Sequence, residues 1–351
     1  MAPVPPSSSP LGVVTDDPLL HQFVGYLQDA QRQLEGTGSV ELVFHRSRID
    51  EVAHAFHRMI RRGEERLHRL ARLLADTLYE GRHDLRSVVV GEDRGNGERF
   101  VLHQPLTVSR LYGLTDLDLG QRLLGRVQLE GAEGWRSPRL IASAVEYLPV
   151  EENPWAAHKM ISRIKAEEEI WDKVVDEIFH LDHLVQRDKQ LRRLSRYVKD
   201  VFGLKIVVGS VSDAPRLHRH LANLTWTEED LRAHRVPAGA NTERLEVLET
   251  KDYLSRAGRK RSGFMAMKSV VRWWDRTFEI QVQPLRNYYR ERERITKESH
   301  AAHAERRDAL RAEVAKLFPL MGFYRAVLVW LFSGTQGAPP SHPGVTLRLE
   351  G

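Results

Sequence analysis

The chain has 351 residues, of which 41% are hydrophobic and 29% charged, and its formal net charge is +5 at pH 7. This length and composition are those of a globular protein with room for two domains, and the positive charge favours an anionic partner such as a nucleotide or RNA. The sequence contains no cysteine, which excludes disulfides, thiolate catalysis and cysteine-based zinc sites.

The N-terminal residues 1–20 predict no globular element. The stretch from Met1 to Pro10 is rich in proline and serine, and it has neither the basic region nor the apolar region of a signal peptide. We therefore expect a disordered tail and a cytoplasmic protein with no membrane association.

Residues 21–84 predict a helical segment. Apolar side chains recur at helical spacing from residue 21 to residue 34, before Gly36, and a longer helix is predicted to start at Ser47 with Asp50 completing a capping box. The histidines 54, 57 and 68 lie on this longer helix. The sequence shows no carboxylate-rich segment to accompany them, so we expect no metal site there.

From residue 85 to residue 150 the periodicity becomes that of β-strands. Short apolar runs alternate with turn signals such as Asn96-Gly97. This pattern predicts a small antiparallel β domain, and Glu152–Pro154 is its predicted boundary with the second half of the chain.

The second half of the chain predicts an α+β domain over residues 155–315. Residues 155–199 are highly charged and predict helix, and strands are predicted at 204–208, 244–253, 269–274 and around Glu279, with helices at 214–224 and 288–317. Alternating elements of this kind indicate a mixed β-sheet with helical cover. In the C-terminal segment 316–351, the apolar run 317–332 is too short to span a membrane and predicts a buried or partner-binding helix.

Two carboxylates stand alone in apolar, strand-like runs of this second half. They are Asp200 and Glu279, and many lysines and arginines lie between and around them. Mg²⁺ typically binds one or two protein carboxylates and completes its shell with phosphate oxygens and water. The pattern therefore predicts an enzyme that acts on nucleotide phosphates.

Four stretches, in order, resemble the motifs of the RelA/SpoT-type (p)ppGpp synthetase domain, a nucleotidyltransferase fold. Residues 163–173 (RIKAEEEIWDK) resemble the R-x-K-x-x-x-S-I-x-x-K helix of that family, and residues 200–205 (DVFGLK) resemble D-x-x-G-I-R. Residues 251–253 (KDY) with 263–268 (GFMAMK) resemble K-D-Y…G-Y-x-S-x-H, and residues 279–284 (EIQVQP) resemble E-I-Q-I-R-T. Residues 301–303 (AAH) are similar to the A-A-H of its closing helix.

The resemblance implies a pyrophosphokinase of the stringent response, which transfers the β,γ-pyrophosphate of ATP to the 3′-hydroxyl of GDP or GTP and makes a ppGpp-type alarmone. It implies that Asp200 binds Mg²⁺ and that Glu279 shares the metal or accepts the hydroxyl proton. It implies that Phe264 stacks on the acceptor guanine while Gly263 leaves the backbone open to it. The other nucleotide-binding residues that it implies are Arg163, Lys165, Lys173 and Lys205 for the donor triphosphate, with Lys251, Tyr253, Lys268, Gln281 and His303.

Several positions depart from the family pattern, and they leave the acceptor open. Lysine replaces arginine at 205 and histidine at 268, phenylalanine replaces tyrosine at 264, and glutamine replaces arginine at 283. A basic loop at 256–261 and the run 286–294 favour a toxin-like relative that acts on the 3′ end of tRNA, because a phosphate backbone rewards extended positive surface. A third alternative is a nucleotide-binding module without catalysis, whose residues 21–150 contact a partner. Homo-oligomerisation also stays open.

Overall fold

The structure is a computed structural model that describes residues 17–93, 95–131, 134–164, 202–255, 263–297, 319–332 and 338–351. Its described residues divide into two compact units, one formed by those before Gly63 and after residue 318, the other by those from Gly63 to residue 297. The predicted tail therefore lies almost wholly outside the described residues.

The helices and strands follow in chain order. The helices are α1 (Pro18–Thr37), α2 (Arg46–Leu78), α3 (Val108–Gly113), α4 (Asp116–Leu124), α5 (Asp213–Asn223), α6 (Glu228–Ala233), α7 (Leu285–Lys297) and α8 (Pro319–Phe332). The strands are β1 (Val40–His45), β2 (His83–Glu92), β3 (Arg99–Pro105), β4 (Leu129–Gly131), β5 (Gly134–Arg136), β6 (Arg139–Pro149), β7 (Ala157–Ile164), β8 (Phe202–Val208), β9 (Glu246–Asp252), β10 (Met267–Trp273), β11 (Arg276–Pro284) and β12 (Val345–Glu350).

The first unit contains α1, α8, the first half of α2, and a parallel pair of strands, β1 and β12. The predicted helical segment 21–84 is wrong at β1, whose alternating burial is that of a strand. Helix α1 continues past Gly36 to Gly38, which takes the left-handed conformation (φ 73°) that glycine adopts without strain. Because α2 begins at Arg46, Ser47 lies inside the helix instead of capping it.

Helix α8 lies within the apolar run 317–332, for which a buried or partner-binding helix was predicted. Its apolar side chains Phe323, Tyr324, Val327, Leu328 and Leu331 are buried. Within the described residues, no helix has both the length and the apolar character that crossing a membrane requires.

The second unit is built on an eight-stranded sheet with the order β3-β2-β6-β7-β8-β11-β10-β9. Strands β8 and β11 are parallel, and the other neighbouring strands are antiparallel. The mixed α+β sheet predicted from the sequence is thus present. The separate β domain at 85–150 is wrong, because β2, β3 and β6 belong to the same sheet as β7–β11.

Strand β7 overturns a second prediction, that of helix from residue 155. The side chains of Met160 and Ser162 are buried, whereas Arg163 is exposed. In sequence, a short strand that alternates apolar and charged residues resembles an amphipathic helix when a charged segment follows it. The strand is too short for its period of two to be recognised.

One face of the sheet, the core face, carries Phe278, Ile280 and Val282 of β11 and packs into the apolar core of the unit. The second half of α2 contributes fully buried leucines to this core, among them Leu67, Leu70 and Leu74. Truncating one such leucine to alanine typically costs about 2–5 kcal/mol. The core therefore holds the strands firmly and fixes which side chains emerge on the opposite face.

Candidate active site

The opposite face of the sheet, the polar face, carries Glu279, Gln281 and Gln283 of β11. Successive side chains of a strand point to opposite faces, so these residues lie across the sheet from the core face. Because β11 pairs in parallel with β8, the sequence brings two motif-bearing strands side by side, with Glu279 opposite Gly203 and Gln281 opposite Lys205.

The strand register places most of the predicted site residues that the structure describes in two adjacent rows on the polar face. The first row runs from β9 to β8 through Lys251, Lys268, Gln281 and Lys205. The second row runs from β11 to β7 through Glu279, Gly203 and Arg163. Residues that are distant in the chain thus share one face of five neighbouring strands.

Glu279 is the buried acid of this face, with 3% of its surface exposed. One carboxylate oxygen, Oε2, forms an ion pair with Lys268 Nζ, and the other, Oε1, accepts a hydrogen bond from the Gln281 amide. An ionised carboxylate is costly to bury without a cation or hydrogen-bond donors. Lys268 supplies the cation and Gln281 the hydrogen-bond donor.

Lys205 forms a second polar contact, with helix α7. Its Nζ lies 3.0 Å from Glu291 Oε2, which also accepts a hydrogen bond from Gln283 Nε2 at 2.9 Å. Burial lowers the pKa of Lys205, and the positive charge of Arg163 lowers it further, whereas Glu291 opposes both effects. Burial alone would raise the pKa of Glu291, but Lys205 and Gln283 hold it below its ordinary value.

Helix α7 also brings an aromatic ring against the lysines of the polar face. The centre of the Tyr288 ring lies 5.3 Å from Lys159 Nζ and 5.9 Å from Lys205 Nζ. Ammonium groups at this range are attracted to the face of a ring. Helix α7 therefore contacts lysines of both β7 and β8.

Because Gly203 has no side chain, it leaves a stretch of uncovered backbone, the open floor, between Arg163 and Glu279. Among the described residues, a Cβ at this position would approach only the main-chain oxygen of Glu279, at 3.8 Å. Its neighbours along the row carry a guanidinium and a carboxylate. A ligand can therefore approach the sheet backbone closely between a cation and an acid.

The end of the β9–β10 hairpin carries the pair Tyr253 and Phe264. Their ring centroids are 5.6 Å apart with an interplanar angle of 70°, and both side chains are half-buried. Gly263 has a positive φ of 72°, and its carbonyl accepts a hydrogen bond from Asn287 Nδ2 at 3.2 Å. The backbone conformation, rather than shortage of space, therefore accounts for glycine here.

Four predicted site residues, Asp200, Lys165, Lys173 and His303, lie outside the described residues, as does the basic loop 256–261. Arg163 was expected on a helix and lies on β7 instead. Glu291 was not predicted from the sequence, because the run 286–294 was interpreted only as positive surface. Its position on α7, immediately after the strand of Glu279, was the available signal.

A buried ion cluster that the sequence did not suggest adjoins the site on β2, β6 and β7. Glu146 accepts from Arg86 Nη2 at 2.5 Å and from Lys159 Nζ at 3.0 Å, and it is 3% exposed. Arg86 is paired with Glu146 in the strand register, and Glu146 with Ile161. Beyond the apolar Ile161, the row that contains Lys205 thus reaches charged residues on β6 and β2, two strands that had been predicted to form a separate β domain.

No protein-family model matches the sequence, and no curated protein matches it. Among solved structures, the chain is similar to small alarmone synthetase 1 from Bacillus subtilis bound to its product pppGpp, with 19% identity over 47% of this chain and 83% of that chain and a TM-score of 0.26. It is also similar to small alarmone synthetase 2 from the same organism, with 14% identity over 52% and 81% and a TM-score of 0.24. A further structure of synthetase 1 gives 18% identity over 45% and 80% and a TM-score of 0.21. A proposed function therefore rests on the residues and the strand register described above rather than on these similarities.

Proposed function

We propose that this protein is a pyrophosphokinase that transfers the β,γ-pyrophosphate of ATP to the 3′-hydroxyl of GDP or GTP. The observation that carries the proposal is a buried carboxylate, Glu279, paired with Lys268 and set among in-register cations on one face of the sheet. In the reaction the acceptor oxygen bonds to the β-phosphorus, the α–β phosphoanhydride bond breaks and AMP leaves. The proton of the hydroxyl passes to a base, and we assign that role to Glu279.

The cations meet the main requirement of phosphoryl chemistry, which is neutralisation of the phosphate charge. Lys205 and Arg163 flank the open floor at Gly203 on the β7 and β8 side, and we assign them to the donor triphosphate. Lys251 and Lys268 lie on the β9 and β10 side, towards Phe264, and we assign them to the phosphates of the acceptor. This division puts the two substrates on either side of Glu279, as an in-line transfer needs.

Glu279 also suits the role of a Mg²⁺ ligand. Carboxylate oxygens are preferred by Mg²⁺, and Glu279 would hold the ion together with Asp200, which precedes β8 by two residues. When bound, Mg²⁺ neutralises charge on the phosphates. Because Lys268 Nζ forms an ion pair with Glu279 Oε2, we propose that this lysine moves from the carboxylate to a phosphate when nucleotides bind.

A guanosine nucleotide is the acceptor that we propose, because the half-buried Tyr253 and Phe264 offer an aromatic surface next to Lys251 and Lys268. Stacking a base on an aromatic side chain contributes about 1–3 kcal/mol. The second candidate acceptor is the 3′ end of tRNA, which the basic sequence of residues 256–261 favours.

Acceptor identity is tested by supplying ATP labelled in the γ-phosphate with GDP, GTP or tRNA and locating the label. We expect label on the guanosine nucleotide, and about 5- to 150-fold weaker use of that acceptor in Phe264→Ala, the equivalent of losing one stacked base. Phe264→Tyr is the matched control, because it keeps the ring and should retain activity. Label on tRNA alone, falling steeply with added salt, would assign the acceptor to RNA instead.

A further inference from the structure

A buried polar cluster lies on the core side of the sheet, opposite Glu279. It consists of Glu64 and His68, one helical turn apart on α2, and Asp116, the first residue of α4; their exposed fractions are 3%, 1% and 3%. No metal site was expected at His68, because no carboxylate-rich segment accompanies it in the sequence. The fold supplies one carboxylate from the same helix and one from α4, and the proposed transferase reaction uses neither.

The two nitrogens of His68 face different surroundings. Nδ1 lies 3.3 Å from the hydroxyl of Tyr147 and 3.4 Å from that of Ser162. Nε2 lies 3.0 Å from Asp116 Oδ1 and 3.8 Å from Glu64 Oε1. With the ring proton on Nδ1, donated to a hydroxyl, Nε2 directs its lone pair at two carboxylates. When both carboxylates are also ionised, three acceptors converge, and a cation at their centre would satisfy all of them.

The spacing of the three groups suits a metal ion. One ligand atom from each lies within 4.8 Å of the others. Zn²⁺ binds imidazole nitrogen and carboxylate oxygen at about 2.0–2.2 Å, which sets tetrahedral ligand atoms roughly 3.3 Å apart. The observed separations of 3.0 Å and 3.8 Å bracket that value.

An independent observation is the state of the second carboxylate oxygen of Asp116. Oδ2 is buried and has no hydrogen-bond partner within the part of the chain that the structure describes. Glu64 Oε1, by contrast, accepts the main-chain N–H of Asp116 at 2.5 Å, which orients this carboxylate towards the cluster. An orphaned buried oxygen is costly, and a bidentate Asp116 would use it as the fourth ligand atom.

We infer that Glu64, His68 and Asp116 bind a divalent transition-metal ion, Zn²⁺ by the chemistry of the ligands, which joins α2 to α4. A ligand set of imidazole and carboxylates suits Zn²⁺. Its burial excludes substrate, so the ion is structural. The hydroxyls on His68 Nδ1 are the outer partners that fix the orientation of a metal-binding imidazole.

The competing occupant of the cluster is a proton. Burial disfavours an imidazolium, but Asp116 and Glu64 together raise the pKa of His68 to about 10 in the absence of metal. A protonated His68 would then form an ion pair with Asp116 and leave Oδ2 without a partner. Metal content separates the two occupants directly.

The test uses untagged full-length protein that carries Glu279→Gln, so that the proposed nucleotide site does not contribute a metal ligand from Glu279. The protein is stripped with a chelator and reloaded with Zn²⁺ or Co²⁺, and bound metal is measured by mass spectrometry and by the visible absorption of Co²⁺. We expect about one equivalent of tightly bound metal and a rise in Tm of about 5 °C or more on reloading, because a ligand that binds only the folded state stabilises it.

Asp116→Asn should lose the metal and the rise in Tm, whereas His54→Gln, an exposed histidine on the same helix, should keep both. If Asp116→Asn does not fold, the protein that keeps all three ligands still tests the inference. If that protein holds no metal after reloading and its Tm is unchanged, the inference is overturned in favour of the proton. Neither readout depends on nucleotide transfer, so this result is independent of the proposed function.

Discussion

At the residue scale, the ion pair between Lys268 and Glu279 is the feature on which the site depends. The sequence indicated both residues, but it did not indicate that they bind each other, because strand register alone brings Lys268 opposite Gln281 and within reach of Glu279. With Lys268 at 25% exposure and Glu279 at 3%, the pair lies at the base of the polar face. We therefore expect the pair to contribute to stability as well as to the proposed catalysis.

Removing Lys268 should leave a buried charge without its partner. We expect Lys268→Met to lower the free energy of unfolding by about 3 kcal/mol, since breaking a buried pair from one side is strongly destabilising. The double variant with Glu279→Gln should recover most of that loss, which chemical denaturation can measure as a double-mutant cycle. Lys251→Met, at a more exposed pair with Glu249, is the control and should cost under about 1 kcal/mol. Additive losses in the cycle would mean that the pair is not coupled.

The lowered pKa of Lys205 predicts a pH effect on ATP binding. An ordinary lysine has a pKa of about 10.4. Burial lowers the pKa of Lys205, so this lysine loses its proton at a lower pH. Affinity that depends on its positive charge should therefore weaken as pH rises through the lowered pKa. Lys205→Arg should shift this alkaline decline upwards, because a guanidinium stays charged, as ATP titrations across pH would reveal. An identical decline in Lys205→Arg and wild type would assign it to another group.

At the element scale, the spacing of apolar and polar residues along each strand decides whether that strand could be predicted. Strands β8 and β11 were predicted correctly because β8 is largely apolar and because Phe278, Ile280 and Val282 of β11 alternate with polar residues. Strand β7 was not, because Lys159 and Arg163 alternate with buried Met160 and Ser162 over a span too short to separate a period of two from one of 3.6. Pairing between strands that are distant in the chain, which creates the rows of the polar face, is not encoded in any local pattern.

The open floor at Gly203 on β8 gives a prediction at this scale. Valine favours strands, and a Cβ there meets only one main-chain oxygen at 3.8 Å among the described residues. We therefore expect Gly203→Val to fold with a Tm within a few degrees of wild type and to lose transfer by about 100-fold or more, because a misplacement of about 1 Å is enough for that loss. Thermal unfolding and initial rates would be measured together. Wild-type rates in Gly203→Val would place the substrates elsewhere.

At the scale of the whole molecule, one sheet joins strands that the sequence appeared to divide. The turn signals before residue 155 were correct as turns, but a turn does not show whether the next strand joins the same sheet. Glu146 of β6 forms ion pairs with Arg86 of β2 and with Lys159 of β7. These buried contacts connect β2 and β6 to the strands of the candidate site. The role of Glu146 could not be predicted, since the three residues come from three different strands.

Glu146 predicts how stability depends on pH. Burial would raise its pKa, but Arg86 and Lys159 hold it below the ordinary value. The stabilisation is therefore complete above the unfolded-state pKa, near 4.3, and is lost as pH falls through the lowered folded-state pKa. Glu146→Gln should cost about 2–4 kcal/mol at pH 7, leaving two cations without their acid. This difference should shrink in denaturation series taken towards pH 3. A difference independent of pH would show that Glu146 acts through packing alone.

We propose that Glu279 on the polar face takes part in pyrophosphate transfer, and this claim is tested by the formation of AMP from ATP. Purified protein, Mg²⁺, ATP and GDP or GTP should give AMP and a guanosine product in equal amounts. Glu279→Gln should reduce the rate by about 10³-fold or more while remaining folded. Glu246→Gln, an exposed glutamate on the neighbouring β9, should match wild type. Folded wild-type protein that forms no AMP with GDP, GTP or tRNA, or a fully active Glu279→Gln, would contradict the claim.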